Sequence, residues 1–168
     1  GLHVWERLVE AGADLGIVPF GVEAQRILRL EKGHFIVGQD TDGLTQGFTA
    51  GLGGLIKLDK DDFVGKPELA WQHGRAHPRL VGLQPLDGSV VPAEASQILR
   101  PDGRIAGRIT SSRMSPTLGR SICLGQVEPD LADPDTHVTV RMTDGRDVTA
   151  VVTRHLAHVD PEGERLRA

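Results

Sequence analysis

A single cysteine stands in the 168 residues, which excludes an intramolecular disulfide and suits a reducing cytoplasm. That residue, Cys123, sits in the apolar run SICLGQV with no activating base beside it, so a buried structural thiol is expected. No apolar run reaches membrane-spanning length, and no signal peptide is recognisable. Positive charge is not in excess either: 19 Lys and Arg stand against 23 Asp and Glu, a formal net charge of -4. Such a balance leaves no electrostatic footprint for nucleic acid. The nearest basic run, Arg75 to Arg79, is interrupted by His77 and Pro78 and reads as a solvated loop.

Several catalytic and binding motifs are also missing. Ser111, Ser112 and Ser115 lack a G-x-S-x-G elbow. Gly51, Gly53 and Gly54 lack the GK[ST] ending of a phosphate loop, and a dinucleotide site is equally unsupported. His73 and His77 have a metal-like spacing, but Gly74 and Pro78 argue against a rigid helical pair. The acidic loop Gly38-Gln39-Asp40-Thr41-Asp42-Gly43 invites a calcium reading and fails on spacing. Counted from Asp40, positions six and twelve are Thr45 and Gly51, where an EF-hand needs glycine and glutamate. A turn whose carboxylates bond backbone amides is expected instead.

What remains is an ordinary soluble composition, 39% hydrophobic and 25% charged, enough for one or two small domains. Trp5, Leu8, Val9 and Gly12 form a helical stripe, with Gly12 and Gly16 marking its end. A second helix is predicted over 22–32 with Gly33 closing it. Strands are predicted over 34–37 and 52–58, and a short helix over 66–72 is entered through Pro67. The polar stretch 72–78 divides residues 1–74 from 78–168. Beyond it, six strands are predicted over 80–83, 97–99, 104–110, 121–127, 137–142 and 147–154. Asp102-Gly103 and Asp144-Gly145 are hairpin signals. Six short strands in about ninety residues suggest a small barrel or Greek-key sandwich.

The second helix carries the most informative residue. Ala24, Ile27, Leu28 and Glu31 fall at i, i+3, i+4 and i+7, which places Glu31 on the core-facing stripe. A carboxylate there must be paired, hydrogen-bonded or close to a ligand, because burying it bare costs several kcal/mol. A structural carboxylate bonded to a turn and a group near a ligand are both open readings.

The ordered segments GVEAQRILRLEKG, GQDTDG, AGLGG, FVGKPEL, GRITSSRMSPTLGRSICLG and VDPEGERL resemble the glycine-cleavage aminomethyltransferase family. The nearest likeness is to the C-terminal folate-handling region of the sarcosine oxidase alpha subunit and of dimethylglycine dehydrogenase. The resemblance implies an α+β fold: the tail of a folate-binding region over 1–74, then a small antiparallel β-barrel of Greek-key or jelly-roll type over 78–168. It implies tetrahydrofolate as cofactor and transfer of a one-carbon unit from a small amine to it. Implied partners are the amine, folate and the subunits of an amine oxidase or glycine-cleavage complex.

The chain opens at Gly1 directly into a helix, so a fragment or processed chain is expected. The family's catalytic aspartate and pteridine-gripping glutamate fall in segments upstream of those present here. Gln25, Glu31 and Asp40 are the candidate folate-proximal residues, in that order. Two departures count against tight folate binding. Gln25 stands where glycine-cleavage members carry a folate-contacting arginine. Gly54 stands where relatives tend to carry a tryptophan, a loss for which Phe48 or Trp71 would have to compensate. A structural or subunit-packing domain that has lost the pocket is therefore the rival reading. The folate module of iron–sulfur assembly relatives ranks third, because Phe35 stands near the place of its signature cysteine.

Overall fold

The computed structural model describes residues 1–167. Three helices precede six strands: α1 (Leu2–Gly12), α2 (Val22–Glu31) and α3 (Lys66–Gln72), then β1 (Arg79–Pro85), β2 (Gln97–Leu99), β3 (Ile105–Ser115), β4 (Arg120–Val127), β5 (His137–Arg141) and β6 (Asp147–Val152). The strands close into a barrel in the order β1-β4-β3-β2-β5-β6, with every pairing antiparallel and β6 returning to β1. β2, β3 and β4 form a meander with β1 laid beside β4, the Greek-key arrangement. Both hairpin signals act as read: Gly103 and Gly145 take φ of 83° and 85°, which a side chain would strain. Their loops are closed by Arg100 N–H to Arg104 O and Met142 N–H to Arg146 O, at 2.9 and 2.8 Å.

Alternation along the strands fills the barrel. Val81, Leu83, Ile98, Ile109, Cys123, Val127, Val138, Val140, Ala150 and Val152 form its buried interior. Residues of opposite parity build a second cluster outside the wall, where Leu80, Ile122 and Leu124 meet Leu30 of α2, flanked by Phe35 and Leu156. At about 25 cal/mol per Å² of apolar surface, that outer cluster is what holds α2 to the barrel.

The end of α2 is fixed twice over. Gly33, with φ of 73°, terminates the helix in the left-handed conformation, and a Cβ there would lie 2.5 Å from Ala157 N and Leu156 C. The chain after β6 crosses this point, with His158 and Val159 both donating their N–H to the Glu31 carbonyl at 2.8 Å. Lys32 Nζ reaches Asp160 Oδ2 at 2.7 Å and completes the strap.

Four local expectations are corrected. On α2 the buried side is rotated toward Leu30, which is wholly buried, while Leu28 is 57% exposed, because the barrel wall meets the helix on the Leu30 side. On α1, Trp5 and Leu8 are exposed and only Gly12 is buried, packed against Ile17, since no other described element lies over the stripe. Residues 34–37 form no strand: the Ile36 carbonyl accepts from Gln39 and Asp40 N–H at 3.2 and 2.9 Å, and these local turn bonds replace a ladder. Residues 52–58 contain a 3-10 turn, Gly53–Leu55, because bonds such as Leu55 N–H to Leu52 O (2.9 Å) satisfy the backbone locally. Among the described residues no helix is long and apolar enough to cross a membrane.

Candidate functional site

Asp40 is wholly buried and forms the node of the contact between α2 and the barrel. Its Oδ2 accepts from Arg29 Nη1 at 2.5 Å and from Ile36 N–H at 2.8 Å. Its Oδ1 accepts from Thr110 Oγ1 and Ser111 Oγ, each at 2.6 Å. All four acceptor directions of the carboxylate are taken. Its backbone carbonyl accepts from Gln126 Nε2 at 2.8 Å.

Successive residues of a strand normally point to opposite faces, yet Thr110 and Ser111 both reach one oxygen. The cause is a bulge: Ile109 pairs with Gly125 and Ser111 with Leu124, so β3 carries one extra residue against β4. The bulge turns two hydroxyls toward the same carboxylate. Arg29 Nη2 also donates to Ser111 Oγ at 2.6 Å, as does Gln39 Nε2 at 2.9 Å. Thr110 and Arg29 are thus site residues that the sequence reading did not single out, and Ser111, weighed there only as a nucleophile, serves as a hydrogen-bonding hydroxyl. The run TSS within β3 and the arginine within LRLE were the available signals.

Glu31 is 5% exposed and stands two residues along α2 from Arg29. Ser115 Oγ donates to its Oε1 at 2.6 Å and Thr117 Oγ1 to its Oε2 at 3.1 Å. Ser115 in turn accepts from Leu118 N–H at 3.1 Å, so the carboxylate organises the β3–β4 turn. Beside it lies a cavity of about 220 Å³ lined by Leu28, Glu31, Lys32, Val159, Asp160 and Arg165. His158 is held nearby, its Nε2 3.1 Å from the Cys123 carbonyl and its Nδ1 3.3 Å from Gln84 Nε2. A carbonyl only accepts, so Nε2 carries the proton and Nδ1 accepts from glutamine. Burial, aided by the nearby Arg120 charge and only partly offset by the Cys123 carbonyl and Glu31, pushes the imidazole below its ordinary value.

Gln25 lies apart from both carboxylates. It is exposed on α2 between Val22 and Leu28, at i−3 and i+3, which are 67% and 57% exposed. The three side chains make a mostly apolar stripe with one amide at its centre. A Cβ added at Gly54 would meet nothing within 4 Å. Phe48 packs near its neighbour Gly53 and stacks on His77 at 5.9 Å, whereas Trp71 lies under Arg75 at 3.9 Å.

The acidic loop is a braced turn. Asp42 Oδ1 accepts from Leu44 N–H and Thr45 Oγ1 at 2.9 Å, and Oδ2 takes Arg108 Nη2 at 2.6 Å. Those bonds, Arg108 foremost, hold its carboxyl at about 2. Cys123 is buried and its thiol is pushed up to about 11 by desolvation, an inert group at neutral pH.

Two family models match the chain in order: a GCVT N-terminal domain over residues 1–60 and the glycine cleavage T-protein C-terminal barrel domain over residues 79–157. The aminomethyltransferase of Halothermothrix orenii is 40% identical over 140 residues, 83% of this chain and 39% of that protein. That of Thermosynechococcus vestitus is 38% identical over 153 residues, 90% of this chain and 40% of that protein. The glycine cleavage system aminomethyltransferase T from Bartonella henselae superposes with a TM-score of 0.82 over 96% of this chain and 44% of that one. At 22% identity, that last likeness shows the shared fold. The chain spans about two-fifths of the length of these relatives.

Proposed function

The chain belongs to the glycine-cleavage T-protein (aminomethyltransferase) family, and we propose that it serves as the C-terminal part of a tetrahydrofolate-dependent transferase moving a one-carbon unit from a small amine. The observation that carries this reading is the ordered match of an N-terminal-domain model and a barrel model along one chain. Whether the donor is glycine-derived or a methylated amine of the sarcosine type is a finer part of the proposal, as are partner subunits and a cytoplasmic location.

The residues present fit one wall of a folate site. The exposed stripe of Val22, Gln25 and Leu28 offers apolar surface for a flat ring, with an amide able both to donate and to accept. Tetrahydrofolate, when bound, supplies the nitrogen that receives the carbon unit. The chain's own residues bind, orient and keep water away. In this reading Gln25 touches the ligand. Glu31 and Asp40 act at one remove, because Asp40 has no lone-pair direction left and Glu31 is tied to Ser115 and Thr117. Their part is to hold α2 at a fixed angle on the barrel, so that the stripe faces the ligand.

The reading in which the fold keeps its packing role without folate draws on the same saturation of Asp40 and on the bare Gly54. Calorimetric titration with 5-formyltetrahydrofolate separates the two. Saturable micromolar binding, weakened about tenfold in Gln25→Ala, supports the folate wall. Binding strengthened by Gly54→Trp would show that the missing ring was the missing contact, since the space there is open. A folded chain that gives no heat of binding removes the claim that this segment holds folate by itself.

A further inference from the structure

One end of the barrel is cationic. Arg79 sits opposite Val127 in the β1–β4 register, and Val127 belongs to the buried interior. Arg79 therefore follows the inward parity of Val81 and Leu83 at the strand's first position. Arg154 stands two residues beyond the interior Val152, on a segment still bonded to β1 through Thr153 N–H to Gly82 O at 2.9 Å. The two arginines and His155 line one cavity of about 300 Å³ together with Val81 and Ala132.

Among the described residues, neither arginine of this pair bonds a carboxylate or a carbonyl through its side chain. Elsewhere on the barrel, arginine has a partner: Arg100 meets Glu128 and Asp130, Arg108 Asp42, Arg141 Asp147 and Arg146 Asp144, while Arg120 donates to the Pro85 carbonyl. Carboxylates outnumber cations along the chain, 23 to 19, so two unpaired arginines lining one cavity run against its general pattern. Asp133 lines the same cavity without pairing to either. Barrel mouths are common ligand sites, and planar guanidinium forks match carboxylate and phosphate oxygens two at a time.

The geometry points to a binding site for a small oxyanion at this mouth, a carboxylate or phosphate head between Arg79 and Arg154 with a short apolar body on the Val81–Ala132 floor. The site is separate from the α2 stripe and does not depend on the folate reading. Asp133 gives it a second polar end and selects anions that carry a donor away from the charged head.

The test is a chemical-shift titration of the 168-residue chain at constant ionic strength, with inorganic phosphate in one series and butyrate in another. Saturable shifts at the Arg79 and Thr153–Leu156 amides are expected for at least one anion, and which series saturates tells a phosphoryl from a carboxyl ligand. Affinity should fall tenfold or more in the double variant Arg79→Gln/Arg154→Gln and less in Arg154→Lys, which keeps charge but loses the fork. Arg146→Gln, a paired arginine on the β5–β6 turn, should leave it unchanged. Linear, unsaturable shifts in both series, or equal affinity in wild type and the double variant, would overturn the site.

Discussion

At the scale of single residues, the account turns on buried polar groups that have partners. Arg29 and Asp40 are 10% and 0% exposed in their side chains, and such a pair is worth most when neither member is removed alone. Asp40→Ala leaves a buried guanidinium uncompensated and should cost about 3–5 kcal/mol in denaturant unfolding. Replacing both by apolar residues, Arg29→Met with Asp40→Leu, should cost much less than the sum of the single changes. Equal and additive losses would show that the pair is not coupled.

His158 makes the second residue-scale prediction. Its folded-state value lies below the ordinary 6.5, so the unfolded chain binds the proton more readily than the folded one. Its contribution to stability is therefore fully present above pH 6.5 and is lost as pH falls below that value. Unfolding midpoints measured from pH 8 to pH 5 should decline over this window, and His158→Gln should flatten the decline. An identical slope in wild type and variant would assign the effect to other groups.

At the scale of elements, the β3 bulge matters most. It places the Thr110 and Ser111 hydroxyls on one carboxylate oxygen, and it lets both Ile109 and Ser112 face inward, Ser112 opposite the interior Cys123. Deleting Thr110 restores a regular ladder only by losing one hydroxyl of the node and re-aiming the strand on one side. The outcome should be a drop of more than the about 1 kcal/mol of a single hydrogen bond, whereas Thr110→Val should cost about that amount. Deletion and substitution that destabilise alike would mean the bulge is incidental.

The elements also show what the sequence could reveal. The six strands were readable because their alternation is set by the barrel's inside and outside, and Asp-Gly pairs mark two of their turns. The 66–72 helix was readable from Pro67, and the 22–31 helix from its period and Gly33. The bulge was not, since nothing local in ITSSR distinguishes an extra residue from a regular strand. Residues 34–37 and 52–58 look extended by composition, but their backbone groups find partners three and four residues away. Burial of Glu31 followed from its period. The shift of the buried face to Leu30 depended on where the barrel wall lies, a long-range fact. Asp40 was picked from the resemblance, and its four partners come from three separate segments.

For the whole molecule, the two sides differ in kind. The barrel side is closed, with a packed interior, mostly partnered arginines and a mouth lined by two unpaired ones. The helical side presents a row of apolar residues, among them Trp5, Phe20, Val22 and Leu28, each more than half exposed. The Asp40 and Glu31 nodes fasten that side to the barrel so that it keeps one orientation. Such an asymmetry suits the proposed reading, in which a chain spanning about two-fifths of its relatives' length lines one side of a folate site.

The central claim, that the α2 stripe is a folate-facing wall, is tested most directly by mapping amide shifts across the chain as 5-formyltetrahydrofolate is added. The account predicts saturable changes at Val22, Gln25 and Leu28 and around Gly53–Leu55, fading in Gln25→Ala. Changes confined to the barrel, or a titration that leaves α2 untouched in a folded chain, would contradict it.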